Sequence, residues 1–342
     1  MGALGLAGLV LAACSSSPAP HKAAAPNRPA TTTTTSTTKP VGPTCPLNGE
    51  PAPGGVVPQR PAIGVKVDNY PQARPQSGLD KADVIFEEPV EGGITRYVAV
   101  FQCQEATSVG PIRSARNIDI GILGQLGSPI EVHVGGIDPV LANIEASPIV
   151  NLDLGAHGNI ESNPPGRYAP YDTYSSTAQM WSVFPAMNKA PAPLFTYSTT
   201  PPSGTPVSTV NIDFSGTSDV AWKYVPGTSL FERYYNGTQP DMLADGNQNS
   251  AANVIVQYVQ ISYGPWVENS EGALEVQADL YPNSSGNAIV FRNGVEITGT
   301  WHRSTLGSPT QFLNAAGQVI PMLPGQTWVE LVPNTISATT SP

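Results

Sequence analysis

The sequence of 342 residues predicts an α+β protein, with a mixed α/β N-terminal domain followed by a β-rich C-terminal domain. Three observations carry that expectation. Runs rich in Val, Ile, Phe and Tyr recur at strand length along most of the chain. Between residues 114 and 126, apolar residues instead return every three or four positions, which is the helical period. Beyond residue 205, nine strand-like runs follow one another.

The first 14 residues, MGALGLAGLVLAAC, read as the apolar part of a signal sequence ending in Leu11-Ala12-Ala13-Cys14. Small residues before a Cys match a lipobox, so Cys14 is the expected lipidation site. No basic residue precedes the apolar run, so the translation start is expected to lie upstream. Residues 15–58 read as a linker, rich in Ala, Pro and Ser and carrying Thr31–Thr38. Too little apolar material is present there to drive folding. As polyproline II, such a tether of roughly 40 residues reaches ~120 Å. With Cys14 lipidated, two of the three Cys remain, and an envelope compartment permits their pairing, so a Cys45–Cys103 disulfide is expected.

Residues 59–200 form the expected N-terminal domain. Ala62–Val67 is a short apolar strand stopped by Asp68-Asn69-Tyr70-Pro71. Ala82–Glu88 and Ile94–Cys103 read as strands, with Glu91-Gly92-Gly93 as the turn between them. Ser114–Leu126 reads as a helix, since Ala115, Ile118, Ile122 and Leu126 share one face. Ile130–Val134 is a buried strand ending in Gly135-Gly136. Pro139–Ala146 is a short helix with Asp138 as N-cap and Pro139 at its first position. Asn151–Tyr174 reads as loop and Ser175–Met187 as helix. Ser198–Pro206 marks the boundary to a second domain at residues 205–335. Its strands are expected at Val207–Phe214, Val220–Val225, Leu230–Tyr235, Val254–Ser262, Leu274–Leu280, Asn287–Arg292, Val295–Thr300, Thr310–Leu313 and Thr327–Leu331. Asn293-Gly294 is the strongest hairpin signal in the chain.

The net charge of −10 argues against nucleic acid and against a polybasic membrane surface as partners. Charge is sparse but uneven: seven of 16 basic and ten of 26 acidic residues fall between Arg60 and Asp138. There they interleave with apolar runs, so they must be paired, exposed or used at a site. Arg113 and Arg116, three apart at the start of the expected helix, suit a carboxylate or phosphate. Glu87, Glu88 or Glu91 is equally able to neutralise them in an internal network. Arg74 and Arg96 belong to the same group. Glu87 and Glu88, adjacent on a strand, must point to opposite faces. Glu87 and Glu91 flank a Pro and, if they converge, form an acid/base pair. His133 closes a buried strand ahead of the double Gly, as a core histidine or a functional one. Ser114 lies in no nucleophile motif. Four scattered His and no paired-Cys spacing imply no structural zinc, and no cofactor is expected. Asp241, Asp245 and Asn247 lack the spacing of a calcium loop. Trp301 near Arg303, and later Trp328, read as a glycan-stacking surface or as sheet packing.

Several blocks resemble a known family. RPQSGLDKADVIFEEPVEGGITRYVAVF (Arg74–Phe101), GPIRSAR (Gly110–Arg116) and EVHVGGIDP (Glu131–Pro139) look like signature blocks of the YerB-like bacterial lipoproteins. FERYYNGTQPD, AANVIVQYV and the stretch Thr300–Pro333 resemble the C-terminal part of that family. Ile137-Asp138 departs from the family, which carries Ser-Pro after the double Gly. The resemblance implies an envelope lipoprotein of two linked domains with no settled activity. The resulting expectation is a non-enzymatic module that binds an anionic cell-wall polymer, a peptide or an envelope protein. Its ligand-binding residues are expected to be Arg74, Glu87, Glu91, Arg96, Arg113, Arg116 and His133. The competing reading is a hydrolase or transferase acting on cell-wall polymer through Glu87 and Glu91 or His133.

Overall fold

In the computed structural model, residues 42–342 are described. Cys14, the signal sequence and the Thr tract lie outside the described residues. The N-terminal half contributes β1 (Ile63–Asp68), β2 (Val84–Pro89), β3 (Thr95–Phe101), α1 (Ile118–Leu123), β4 (Ile130–His133), α2 (Asp138–Glu145), β5 (Val150–Asp153) and α3 (Thr177–Ser182). The C-terminal half supplies β6 (Thr205–Pro206), β7 (Thr209–Asp213), β8 (Asp219–Val225), β9 (Leu230–Tyr235), β10 (Gln239–Pro240), β11 (Ser250–Ala251), β12 (Asn253–Val259) and β13 (Ile261–Val267). It ends with β14 (Leu274–Ala278), β15 (Ser284–Arg292), β16 (Val295–Arg303), β17 (Gln311–Asn314), β18 (Thr327–Pro333) and β19 (Thr339–Ser341). Taken as a whole, the described residues are β-rich.

The two halves share one sheet of eleven strands, ordered β17-β16-β15-β12-β18-β2-β3-β1-β4-β5, with β6 beside β16. The joint is β18 against β2, parallel, with Thr327 opposite Val84 and Glu330 opposite Glu87. Residues 42–342 accordingly make a single compact unit, and the segment at Ser198–Pro206 does not divide it. β2 is buried on both faces, so its second edge needs a hydrogen-bonding partner, and the C-terminal half provides it.

Both faces of this sheet are covered, and side chains alternate between them. One face sends Phe86, Val98, Val100 and Val329 against Ile118, Ile122, Val140 and Ile144 of α1 and α2. The other sends Val65, Ile85, Ala99 and Trp328 against Val210, Trp222 and Phe231 of a six-stranded sheet, β10-β9-β8-β7-β19 with β11 beside β9. β13 and β14 form a separate hairpin over the helix-covered face. Trp301 and Trp328 are buried in different cores, so they form neither a pair nor a rim; Trp301 donates to the Tyr258 carbonyl at 2.8 Å.

Several local expectations are corrected. The linker expected to reach residue 58 gives way to packed chain: Cys45, Leu47 and Asn48 are buried. The Cys45–Cys103 disulfide holds this segment, with Asn48 donating to Asp83 at 2.6 Å. A cross-link across 58 residues stabilises the fold by about 4 kcal/mol in the chain-entropy account. The helix expected over Ser114–Leu126 begins only at Ile118. Backbone bonds from Arg113 to Lys66 and from Ala115 to Gly135 draw the preceding residues into extended chain. Ile137, not Asp138, is the N-cap of α2. β5 runs from Val150 into the stretch read as loop, pairing parallel with β4 from Ile130–Val150 to His133–Asp153. Val254–Ser262 divides into β12 and β13 at Gln260, where the chain leaves the main sheet for the hairpin. Asn293 and Gly294 turn the β15–β16 hairpin with positive φ of 53° and 70°, as the two-residue turn requires.

Candidate functional site

β1, β2, β4, β5, β12 and β18 all run in one direction, with β3 antiparallel between β2 and β1. Their carboxyl ends collect Asp68, Pro89, His133 and Asp153 at one edge, together with Arg96 at the start of β3. Many of the charges between residues 60 and 138 meet there, in two clusters on opposite faces, while Arg60–Glu105 and Lys81–Asp80 pair elsewhere. Consecutive Glu87 and Glu88 feed one each.

On the helix-covered face, Lys66 contacts Glu88 and lies 2.6 Å from Asp119 Oδ1. Burial lowers the Lys66 pKa to about 8, with Arg96 and Arg116 adding to the effect and Asp119 opposing it. Glu131, on neighbouring β4, has its pKa pushed well above the ordinary value by burial and by Asp119. Beside this group, Glu91 binds Arg116, with its Oε2 at 2.9 Å from Nε, and stands 3.5 Å from Arg96. Burial works to raise the Glu91 pKa, but the hydrogen bonds and charges of the two arginines outweigh it and hold the group down at about 2. The β13–β14 hairpin closes the cluster from above. Glu268 lies 3.4 Å from Arg116, and Glu275 accepts from the Asn117 N–H at 3.2 Å. An apolar cleft of about 650 Å³ opens between Glu91–Ile94 and the hairpin, lined by Phe214, Tyr263, Val276 and Ile336.

Arg113 is the outermost member. Its Nε lies 2.8 Å from Asp68 Oδ2, and 26% of its side chain is exposed, against 4% for Arg96 and Arg116. Its guanidinium stands 5.9 Å from the Tyr171 ring, which stacks on Tyr70 with ring centres 6.4 Å apart.

On the opposite face the second cluster is sealed. Arg233 of β9 donates to Glu87 at 2.7 Å and to Asp241 at 2.6 Å, with no exposure. The rings of Tyr97, Trp222, Tyr235 and Trp328 surround its guanidinium at 4.8–5.9 Å. Glu330, next to Glu87 on β18, is driven well above the carboxylate range by burial and by the Glu87 charge, and it accepts from Trp222 Nε1 at 2.8 Å. Asn69 and Thr95 donate to the remaining Glu87 oxygen at 3.3 and 2.6 Å.

Of the seven expected site residues, the structure brings Glu91, Arg96 and Arg116 together, with Arg113 at their rim through Asp68. Glu87 lies on the other face and does not converge with Glu91, because the intervening residues keep β2 extended to Pro89. Arg74 lies apart, 3.5 Å over the Tyr235 ring. His133 is a fully buried core residue whose Nδ1 and Nε2 are bound to Gly135 O (2.9 Å) and Asn151 Oδ1 (2.7 Å). The anion site expected at a helix start is replaced by protein acceptors: Asp119 Oδ2 takes the Arg116 N–H at 2.7 Å and Glu275 takes that of Asn117. Lys66, Asp68, Asp119, Glu131, Glu268 and Arg233 had no place in the expected site. Lys66 and Asp119, each a charge inside an apolar run, were the available signal.

A shared sheet with a polar cluster at its carboxyl edge defines a two-part β-rich protein whose halves are folded together. The chain belongs to the YerB-like family of unknown function: residues 47–190 match the DUF3048 N-terminal domain and residues 210–329 the DUF3048 C-terminal domain. It is 28% identical over 307 residues to the putative lipoprotein YerB of Bacillus subtilis (strain 168), covering 86% of this chain and 88% of that protein. The crystal structure of YerB from Bacillus subtilis shares the fold, with a TM-score of 0.72 at 24% identity, over 86% of this chain and 99% of that one.

Proposed function

We propose that the protein is an envelope lipoprotein, anchored through Cys14, that binds an anionic cell-wall or peptide ligand without catalysis. The Leu-Ala-Ala-Cys sequence and the similarity to a putative lipoprotein support the anchor. In this reading residues 59–200 are the α+β half that carries the site and residues 205–335 the β-rich half that backs it. Arg113 is the residue that meets ligand. The observation that carries the reading is its partial exposure at the carboxyl edge of the sheet, beside the Tyr70–Tyr171 stack and above a buried network of paired charges. A guanidinium next to aromatic faces suits an acidic sugar or peptide. Acid/base chemistry is disfavoured: Glu91 is ionised down to about pH 2 and held by arginines, and both ring nitrogens of His133 are occupied. Co-sedimentation with purified cell-wall material tests the assignment. Wild type is expected in the pellet, and Arg113→Gln, folded by circular dichroism, is expected in the supernatant. Equal pelleting of both would remove Arg113 from the site.

A further inference from the structure

We infer a second binding site, for a small carboxylate that carries N–H or O–H donors, in the pocket between Arg74 and Asp241. This pocket, about 510 Å³, lies where the chain after β1, the β7–β8 turn and the end of β9 meet. Its volume is in the range that small ligands occupy.

Arg74 is its cation. The guanidinium lies flat over Tyr235 at 3.5 Å, and Nε and Nη2 are fixed on Asn69 at 3.2 and 2.9 Å. Nη2 also reaches the Thr217 carbonyl at 3.4 Å. Tyr235 is itself held, its hydroxyl donating to Asn69 Oδ1 at 2.9 Å. Among the described residues no carboxylate lies within ion-pair distance of Arg74, unlike Arg96, Arg113, Arg116 and Arg233. The charge is therefore immobilised before any ligand arrives and left without a counter-ion, an arrangement suited to an incoming carboxylate.

Asp241 supplies the complement. It lines the same pocket from the buried side, with Oδ2 taken by Arg233 at 2.6 Å and Oδ1 without a hydrogen-bond partner. A buried acceptor without a donor is costly, so a ligand donor seated there gains more than it would at the surface. Exposed Gln239 adds an amide at the mouth, and Pro71, Pro240 and Met242 give apolar walls. A carboxylate flanked by hydroxyl, amide or ammonium groups matches these features, whether it comes from a sugar acid or a peptide terminus.

The test is calorimetric titration of the full chain with N-acetylmuramic acid and with D-alanyl-D-alanine, with inorganic phosphate and N-acetylglucosamine as controls. The envelope assignment only guides the choice of probes. At least one carboxylate is expected to bind. Arg74→Gln should weaken it more than tenfold, and Met242→Trp, which fills the mouth from an exposed position, should abolish it with an unchanged thermal midpoint. Acidic probes also suit the Arg113 rim, so the titration is repeated in the Arg113→Gln background, where the Arg74-dependent binding should persist. Binding of the sugar acid alone or the peptide alone identifies the source. No binding of either carboxylate, equal binding by wild type and Arg74→Gln, or binding of phosphate alone would overturn the inference.

Discussion

Glu87 and Glu88 are neighbours in sequence, yet they serve two charged clusters that differ in what surrounds them. Glu87 joins Arg233 between two sheets, inside a cage of four aromatic rings, with no exposure at either of these two groups. Glu88 joins the Lys66–Asp119 group, which continues through Arg96, Glu91 and Arg116 to the partly exposed Arg113. The first cluster fastens one sheet to the other, and the second ends at solvent. Density of charge therefore does not distinguish architecture from a binding surface in this protein. What distinguishes them is whether the last guanidinium of the chain is covered.

The largest effect should come from breaking the sealed cluster. Arg233→Met leaves Glu87 and Asp241 buried without a counter-ion, and loss of one partner of a buried pair costs about 3–5 kcal/mol. Urea unfolding of the variant measures it, and a loss below about 1 kcal/mol would mean that water reaches the cage.

Acid should separate the two faces next. Glu91 titrates at about 2 in the folded protein, below its ordinary value of 4.5. Its contribution is fully present above pH 4.5 and is lost as pH falls towards 2, about 3 kcal/mol in all. Glu91→Gln should flatten that acid limb. Glu330 has the opposite sign: its folded pKa lies above the unfolded one, so its cost to stability appears as pH rises above 4.5. Glu330→Gln should reduce that slope without erasing it, because Glu131 contributes in the same direction from the other face. Stability measured against pH for the two variants checks both signs.

The smallest effect on stability belongs to the rim. Arg113 is a quarter exposed, but its partner Asp68 is buried and keeps the Tyr70 N–H at 2.9 Å, so Arg113→Gln, which retains an amide donor, should cost about 1–2 kcal/mol.

The strands were legible where β-branched and aromatic residues carried them: Leu230–Tyr235 has the expected bounds, and Asn293-Gly294 turns where its chemistry requires. β5 was hidden because Asn151 and Asp153, turn formers by composition, serve as polar partners at the sheet's end: Asn151 binds His133, and Asp153 takes the Gly135 N–H at 3.0 Å. The start of α1 was hidden because long-range backbone bonds override a local apolar period. For the site, the cluster's membership was largely readable as charge placed among core residues. Its pairing was not, since Arg233 lies 146 positions from Glu87 and Glu268 comes from a hairpin far along the chain. The opposite facing of Glu87 and Glu88 follows from strand geometry alone. Which of them is sealed depends on the second sheet.

The most direct test of the central claim, that Arg113 is the open end of an otherwise buried network of paired charges, is the thermal midpoint of wild type and Arg113→Gln with and without soluble peptidoglycan fragments. Ligand at a hundredfold excess over Kd stabilises by about 2.7 kcal/mol, enough to read as a rise of several degrees. The account predicts that rise in wild type and its absence in Arg113→Gln, whose unliganded midpoint should lie only a few degrees below that of wild type. The same rise in both proteins, or an Arg113→Gln variant that melts as early as Arg233→Met, would contradict it.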